Sequence, residues 1–174
     1  AFEHYQRQNA WIWEHQALTR ARFCAGNAEV GARFEALRTA VLCQTRAHEP
    51  LRTEVLAMRQ KMRDAFANKG EGFELKHDAG GLIDVEFIVQ YLVLAHAHEY
   101  PALAENKGNI ALLQRCAAAG LIPAELAQQA GNAYRAMRHA QHELRLNQQT
   151  SRVFDDRLDA ARTPVQALWA KVFG

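Results

Sequence analysis

The chain has 174 residues, of which 49% are hydrophobic and 23% charged, and its formal net charge is +2. This is the composition of an ordinary soluble globular domain, long enough to bury a sizeable core. It excludes the strongly basic balance of a dedicated nucleic-acid binder, although residues 1–69 are net positive and residues 70–174 net negative.

In chain order, Phe2, Tyr5, Ala10, Ile12, Trp13, Ala17 and Ala21 predict a first amphipathic helix ending near Cys24-Ala25-Gly26. Asn27 is placed to cap a second, whose apolar stripe is Val30, Phe34, Leu37 and Val41. Pro50 suits the first turn of a third, with Leu51, Val55, Met58, Met62 and Phe66 along one side. Asn68 to Gly72 reads as a loop. Residues Phe73 to His77 alternate apolar and polar, the only strand-like piece, too short to form a sheet alone. Leu82 to about His98 is apolar around most of its circumference, so it is expected as the central buried helix, ended by Tyr100-Pro101. Asn109 caps a short helix through Ala119, closed by Gly120. Pro123 opens a long helix with stripe Leu126, Ala130, Tyr134, Met137, Gln141 and Leu144. Thr163-Pro164-Val165-Gln166 has the pattern of a capping box opening a last helix. The expected fold class is all-α, a single bundle-like domain over 1–174 with about six or seven helices and at most one short extended segment near 73–77.

Cys24, Cys43 and Cys116 form no CxxC pair, which fits a reduced, cytoplasmic protein. Val85 to Ala97 approaches a membrane span but is interrupted by Glu86, Gln90 and His96, and falls short of the about 20 residues required. The chain opens on Ala1, already in a helical pattern and without a signal peptide, and reads as a piece of a longer protein.

Four constellations are candidates for chemistry. Asp84 and Glu86 are two residues apart on an apolar helix, so they face nearly opposite ways and cannot form one paired-carboxylate site. Either can have a functional role, or both can simply favour the positive end of the helix dipole. Arg52, Arg59 and Arg63, spaced by seven and four, share a face that can clamp phosphate or carboxylate, but spacing alone favours a solvated face or salt bridges to acids of neighbouring helices. Lys76-His77-Asp78-Ala79-Gly80-Gly81 precedes a helix start, where backbone N–H groups can hold an anion, but it lacks the P-loop pattern and also reads as a plain turn. His139, His142 and Glu143 have helical ligand spacing without a companion HExxH or cysteine, so no metal site is expected. Trp11 and Trp13 read as packing residues rather than a stacking platform for a ligand. The chain has no Walker motif, no GxSxG and no Asp-x-Asp pair for divalent cations.

The strings Asn9–Arg22 (NAWIWEHQALTRAR), Glu54–Arg63 (EVLAMRQKMR), Phe73–Leu94 (FELKHDAGGLIDVEFIVQYLVL) and Ala133–Leu146 (AYRAMRHAQHELRL) resemble, in the same order, the C-terminal helical domain of the bacterial bifunctional glutamine-synthetase adenylyltransferase/adenylyl-removing family. PII uridylyltransferase carries a distantly related helical domain. The resemblance covers nearly the whole chain, and Lys76–Phe87 is its most specific part. It implies a parent enzyme with two nucleotidyltransferase heads, each followed by a helical domain, that uses ATP and Mg²⁺ to transfer AMP to a tyrosine of glutamine synthetase and removes it by phosphorolysis. PII and glutamine would regulate the balance. The chain would follow the second, adenylylating head. The family's Gly-Ser and Asp-x-Asp metal motif lies upstream, so the piece alone is expected to be inactive, with no catalytic residue and no bound Mg²⁺ or ATP. Expected partners are glutamine synthetase, PII, and the preceding head and regulatory region, with neither nucleic acid nor membrane. Arg59, Arg63, Lys76, Asp78, Asp84 and Glu86 are the candidate nucleotide- or partner-facing residues, assigned from charge and position. The alternative is a regulatory docking module for glutamine synthetase or PII without nucleotide contacts.

Overall fold

The structure, a computed structural model, describes residues 1–154 and 156–174. Among the described residues there are eight α-helices: α1 (Phe2–Gln8), α2 (Ile12–Leu18), α3 (Ala28–Leu42), α4 (His48–Ala65), α5 (Leu82–His96), α6 (Asn109–Ala118), α7 (Ala124–Leu146) and α8 (Asp159–Phe173). Two strands, β1 (Phe73–Glu74) and β2 (Arg152–Val153), pair antiparallel, Phe73 opposite Val153 and Glu74 opposite Arg152. The all-α reading therefore holds, and the strand-like piece finds its partner in a segment that shows no strand pattern.

The chain divides into two compact units. The first contains residues 1–58 and 90–108. Its core gathers Leu18, Val41, Leu42, Leu51, Val55 and the second half of α5. Arg38, although charged, is buried here, and its guanidinium donates to three backbone carbonyls, those of Leu18 (2.7 Å), Thr19 (2.8 Å) and Ala104 (2.7 Å). Leu18 and Thr19 close α2, and Ala104 ends a 3-10 turn at Pro101–Ala104, so one side chain ties together the carbonyl ends of both elements. Arg46 acts similarly on the end of α3, donating to the Val41 carbonyl at 2.7 Å and contacting His15 Nδ1 at 3.3 Å.

The single first helix read from the periodicity is two helices. The Asn9 and Ala10 N–H groups both reach back to the Tyr5 carbonyl, at 2.9 and 3.0 Å, which closes α1. Glu14 then accepts from the Trp11 N–H (2.9 Å) and from the Tyr5 hydroxyl (2.9 Å), which starts α2. Trp11 and Trp13 are not packing residues; both are exposed.

The second unit contains residues 59–89 and 109–174. Here α7 packs against α6 and α8. Val85, Ile88, Leu113, Ala130, Met137, Val165 and Leu168 are fully buried. Gly120, at φ +74°, closes α6 as expected. The last helix starts at Asp159, four residues before Thr163, so Pro164 lies inside α8 and no capping box forms at Thr163. The Thr163 hydroxyl instead faces the Asp159 carbonyl at 3.4 Å, within the helix.

Candidate functional site

The best-defined polar cluster lies in the second unit, where α4 meets the start of α5. An apolar helix needs strong local signals to begin at a fixed residue, and Gly80-Gly81 supply them. Gly80 has φ +80°, and a Cβ on Gly81 would stand 2.7 Å from the Leu75 carbonyl oxygen and 2.9 Å from that of Asp78. Only glycine permits that approach. The turn brings the carbonyls of Leu75 and Lys76 onto the N–H groups of Leu82 (2.9 Å) and Ile83 (3.1 Å). Gly81 N–H donates to the Asp78 carbonyl at 3.0 Å, and Gly80 N–H to Asp84 Oδ2 at 2.7 Å. The N–H groups that an anion would use are thus already taken by the chain itself. The Lys76–Gly81 segment is a turn, not an anion cradle.

Asp84 is 1% exposed and Arg59, on α4, is likewise 1% exposed. Arg59 Nε donates to Asp84 Oδ1 at 2.7 Å, and Nη2 donates to the His77 carbonyl at 2.7 Å. Arg63, one turn further along α4, reaches both Asp84 oxygens at 3.4 Å. It also lies over the Trp169 ring, 5.5 Å from its centroid. Two guanidinium groups and a backbone N–H therefore converge on one carboxylate. Burial pulls the Arg59 pKa below its ordinary value, and the Asp84 charge opposes that pull. The pair is retained because each charge has the other and both have further hydrogen bonds.

The remaining predicted residues divide around this centre. Asp78 Oδ2 accepts from the Glu74 N–H (2.8 Å) and from Asn68 Nδ2 (2.9 Å), which pins the loop before β1 to the turn after it. Lys76 is exposed. Glu86 is on the other side of α5, as the helical spacing required, and accepts from the Tyr134 hydroxyl of α7 at 3.2 Å. Burial raises the Tyr134 pKa, with the Glu86 charge adding to it. Arg52 does not join Arg59 and Arg63 at Asp84; it faces Glu49 of its own helix at 3.7 Å.

Sequence reasoning placed His77 in the Lys76–Gly81 segment but gave its ring and carbonyl no partners. Its carbonyl receives Arg59, and its ring stacks on Phe66 with centroids 4.4 Å apart. Burial lowers the His77 pKa, assisted by Lys76 and Arg59 and opposed by Glu74 and Asp78. The alternation of Phe73 to His77 carried no sign of this, because the ring's partner lies at the end of a helix.

Buried Arg59 Nη1, Arg63 Nε and His77 Nδ1 have no hydrogen-bond partner among the described residues. The cluster keeps donor capacity for an anionic group through Arg63, whose side chain is 35% exposed. It does not fit a divalent cation. The carboxylates of Asp84, Asp78 and Glu86 are each committed to protein donors, and no group of three His, Cys, Asp or Glu among the described residues is arranged to hold a metal ion. His139 and Glu143 stand 3.7 Å apart on an exposed surface. No helix among the described residues is long and apolar enough to cross a membrane.

A family model described as GlnD PII-uridylyltransferase matches residues 52–173, and one described as Glutamate-ammonia ligase adenylyltransferase matches residues 1–37. Along its length the chain is similar to proteins named bifunctional glutamine synthetase adenylyltransferase/adenylyl-removing enzyme. It is 60% identical to that of Aromatoleum aromaticum, 51% to that of Nitrosomonas eutropha and 54% to that of Bordetella bronchiseptica, over 100%, 100% and 99% of this chain. The chain spans about a fifth of the length of these relatives: 19%, 20% and 18%.

Proposed function

Since the chain belongs to the GlnD PII-uridylyltransferase family through the match over residues 52–173, we propose that it serves as a helical domain of a glutamine-synthetase adenylyltransferase. In this reading it follows the adenylylating head and supports ATP- and Mg²⁺-dependent AMP transfer to a tyrosine of glutamine synthetase. It contributes no metal ligand and is inactive alone. The parent enzyme is cytoplasmic and answers to PII. The observation that carries this reading is the identity of up to 60% across all of the chain.

The geometry supports a division of labour within the predicted residues. Arg59 and Asp84 are sealed from solvent and hold α4 against the start of α5. They are positioning residues. Arg63 and Lys76 are the accessible cations, and in this reading they meet the nucleotide or the protein substrate. Nucleotidyl transfer depends on placing groups that stabilise developing negative charge, so a cation misplaced by its support loses rate even when it is present.

The test is made in the full-length enzyme. Arg63→Ala and Lys76→Ala are each expected to lower AMP transfer about tenfold, equivalent to about 1.4 kcal/mol. A raised KM for ATP indicates nucleotide contact, whereas a raised KM for glutamine synthetase alone indicates docking. Wild-type kinetics in both folded variants would remove these two residues from the function.

A further inference from the structure

Hydrogen bonds do not by themselves hold the Arg63 guanidinium. Each Asp84 oxygen already takes a shorter bond, Oδ1 from Arg59 Nε at 2.7 Å and Oδ2 from the Gly80 N–H at 2.7 Å. Arg63 Nη2 reaches the same two oxygens only at 3.4 Å, which is long for a charge-assisted bond. Its Nε is buried and has no hydrogen-bond partner among the described residues. The side chain is half-buried at 35% exposure, and an arginine held this loosely keeps much of its rotamer freedom. A cation that must meet a substrate in one geometry needs a further constraint.

That constraint comes from α8. Arg162, Gln166 and Trp169 follow helical i, i+4, i+7 spacing, so they form one face of this helix. The face is seated against the Lys76–Gly81 turn and β1. A Cβ on Gly80 would stand 3.0 Å from the Arg162 carbonyl oxygen and 3.1 Å from Gln166 Cγ, so α8 approaches this closely because residue 80 is glycine. Gln166 Nε2 reaches the Ala79 carbonyl at 3.4 Å, and the Arg162 guanidinium lies 4.2 Å from the centre of the Phe73 ring. One turn further along, the same seating brings the Trp169 indole to Arg63, whose Cζ lies 5.5 Å from the ring centroid. This is within the range of about 6 Å over which a cation–π attraction acts, and tryptophan gives the strongest of them. Trp169 in turn packs on Phe173, with ring centroids 4.4 Å apart, and Phe173 is buried. The geometry points to Trp169 as a positioning residue, whose ring fixes the Arg63 guanidinium that Asp84 holds only loosely. Trp169 acts through Arg63 and not through contact with a substrate. This inference rests on the reading of Arg63 as a cation that meets the nucleotide or the protein substrate.

The test is made in the full-length enzyme. Trp169→Phe keeps an aromatic ring, whereas Trp169→Leu and Trp169→Met remove it and still fill much of its space. The two ring-free variants are expected to lower AMP transfer about threefold, and Trp169→Phe to keep most of the rate. In an Arg63→Ala background the same replacements are expected to cost nothing further, because the group they position is gone. A second readout needs no activity. Modification of Arg63 by an arginine-specific dicarbonyl reagent, followed by mass spectrometry of its peptide, is expected to run about threefold faster in the ring-free variants than in the wild type or Trp169→Phe. Equal losses in the ring-free and Phe variants, a loss that persists undiminished without Arg63, or unchanged modification of Arg63 would each overturn the inference. If Arg63→Ala alone leaves AMP transfer at the wild-type rate, the functional reading of Arg63 fails, and the modification rates still decide whether Trp169 holds it.

Discussion

Asp84 shows how one side chain acquires a role that its own helix cannot reveal. It accepts from Arg59 at 2.7 Å and from the Gly80 N–H at 2.7 Å, both inside the protein, and from the partly exposed Arg63 at 3.4 Å. Removing one member of such a pair leaves the other charge buried without compensation. Asp84→Ala is therefore expected to cost about 3–5 kcal/mol in urea denaturation. The double variant Arg59→Met with Asp84→Leu is expected to cost less than either single replacement, because it removes both desolvated charges. If the single and double losses simply add, the two residues do not act as a pair. The sequence made part of this legible. Two residues of helical spacing put Asp84 and Glu86 on opposite faces, and the structure gives them different partners on different helices. The identity of those partners depends on long-range packing and had no local signal. The same applies to Arg38, whose acceptors are backbone carbonyls of distant segments, and to the contact of Arg46 with the Leu94 carbonyl at 3.4 Å.

At the scale of elements, periodicity located α3, α4, α5 and α7 because each carries enough turns for a stripe to show. It failed at short range, where hydrogen bonds to single groups decide the path. The break between α1 and α2 depends on Glu14 reaching the Trp11 N–H, which no hydrophobic pattern records. At the other end, Pro164 read as a helix start because proline fits a first turn. It is instead the sixth residue of α8, where it withholds the N–H that the Ala160 carbonyl would otherwise receive. The helix is carried through this position by packing, since Val165 and Leu168 are fully buried. Pro164→Ala restores the missing bond, at some cost in a more flexible unfolded chain. A net gain of about 1 kcal/mol is expected, seen as a raised melting temperature. A lowered melting temperature would mean that the proline ring itself is needed in the apolar cleft that it lines with Leu126, Ala133 and Leu158.

For the molecule as a whole, the histidines tie stability to pH. His15 Nε2 faces the Gln6 carbonyl at 3.0 Å, which requires the proton there, so Nδ1 is free to accept from Arg46 at 3.3 Å. This is a neutral imidazole, and burial first, then Arg46, pushes its pKa below the ordinary value. Burial likewise lowers the pKa of His77, and that of His96, whose ring meets His48 edge to face at 5.0 Å. A histidine whose folded pKa is depressed binds fewer protons when folded than when unfolded. Its contribution to stability is fully present above about pH 6.5, the unfolded value, and is lost as pH falls toward the folded value. Each such group can add a slope of at most about 1.4 kcal/mol per pH unit. Urea denaturation at pH 7.5, 6.5 and 5.5 is expected to show little change over the first step and a clear loss over the second. His15→Gln removes one titrating group from the first unit, so that variant is expected to lose less stability between pH 6.5 and 5.5 than the parent chain. Equal losses in the two proteins would mean that His15 keeps an ordinary pKa despite Arg46. An unchanged stability down to pH 5.5 would exclude all three histidines as the acid-sensitive groups.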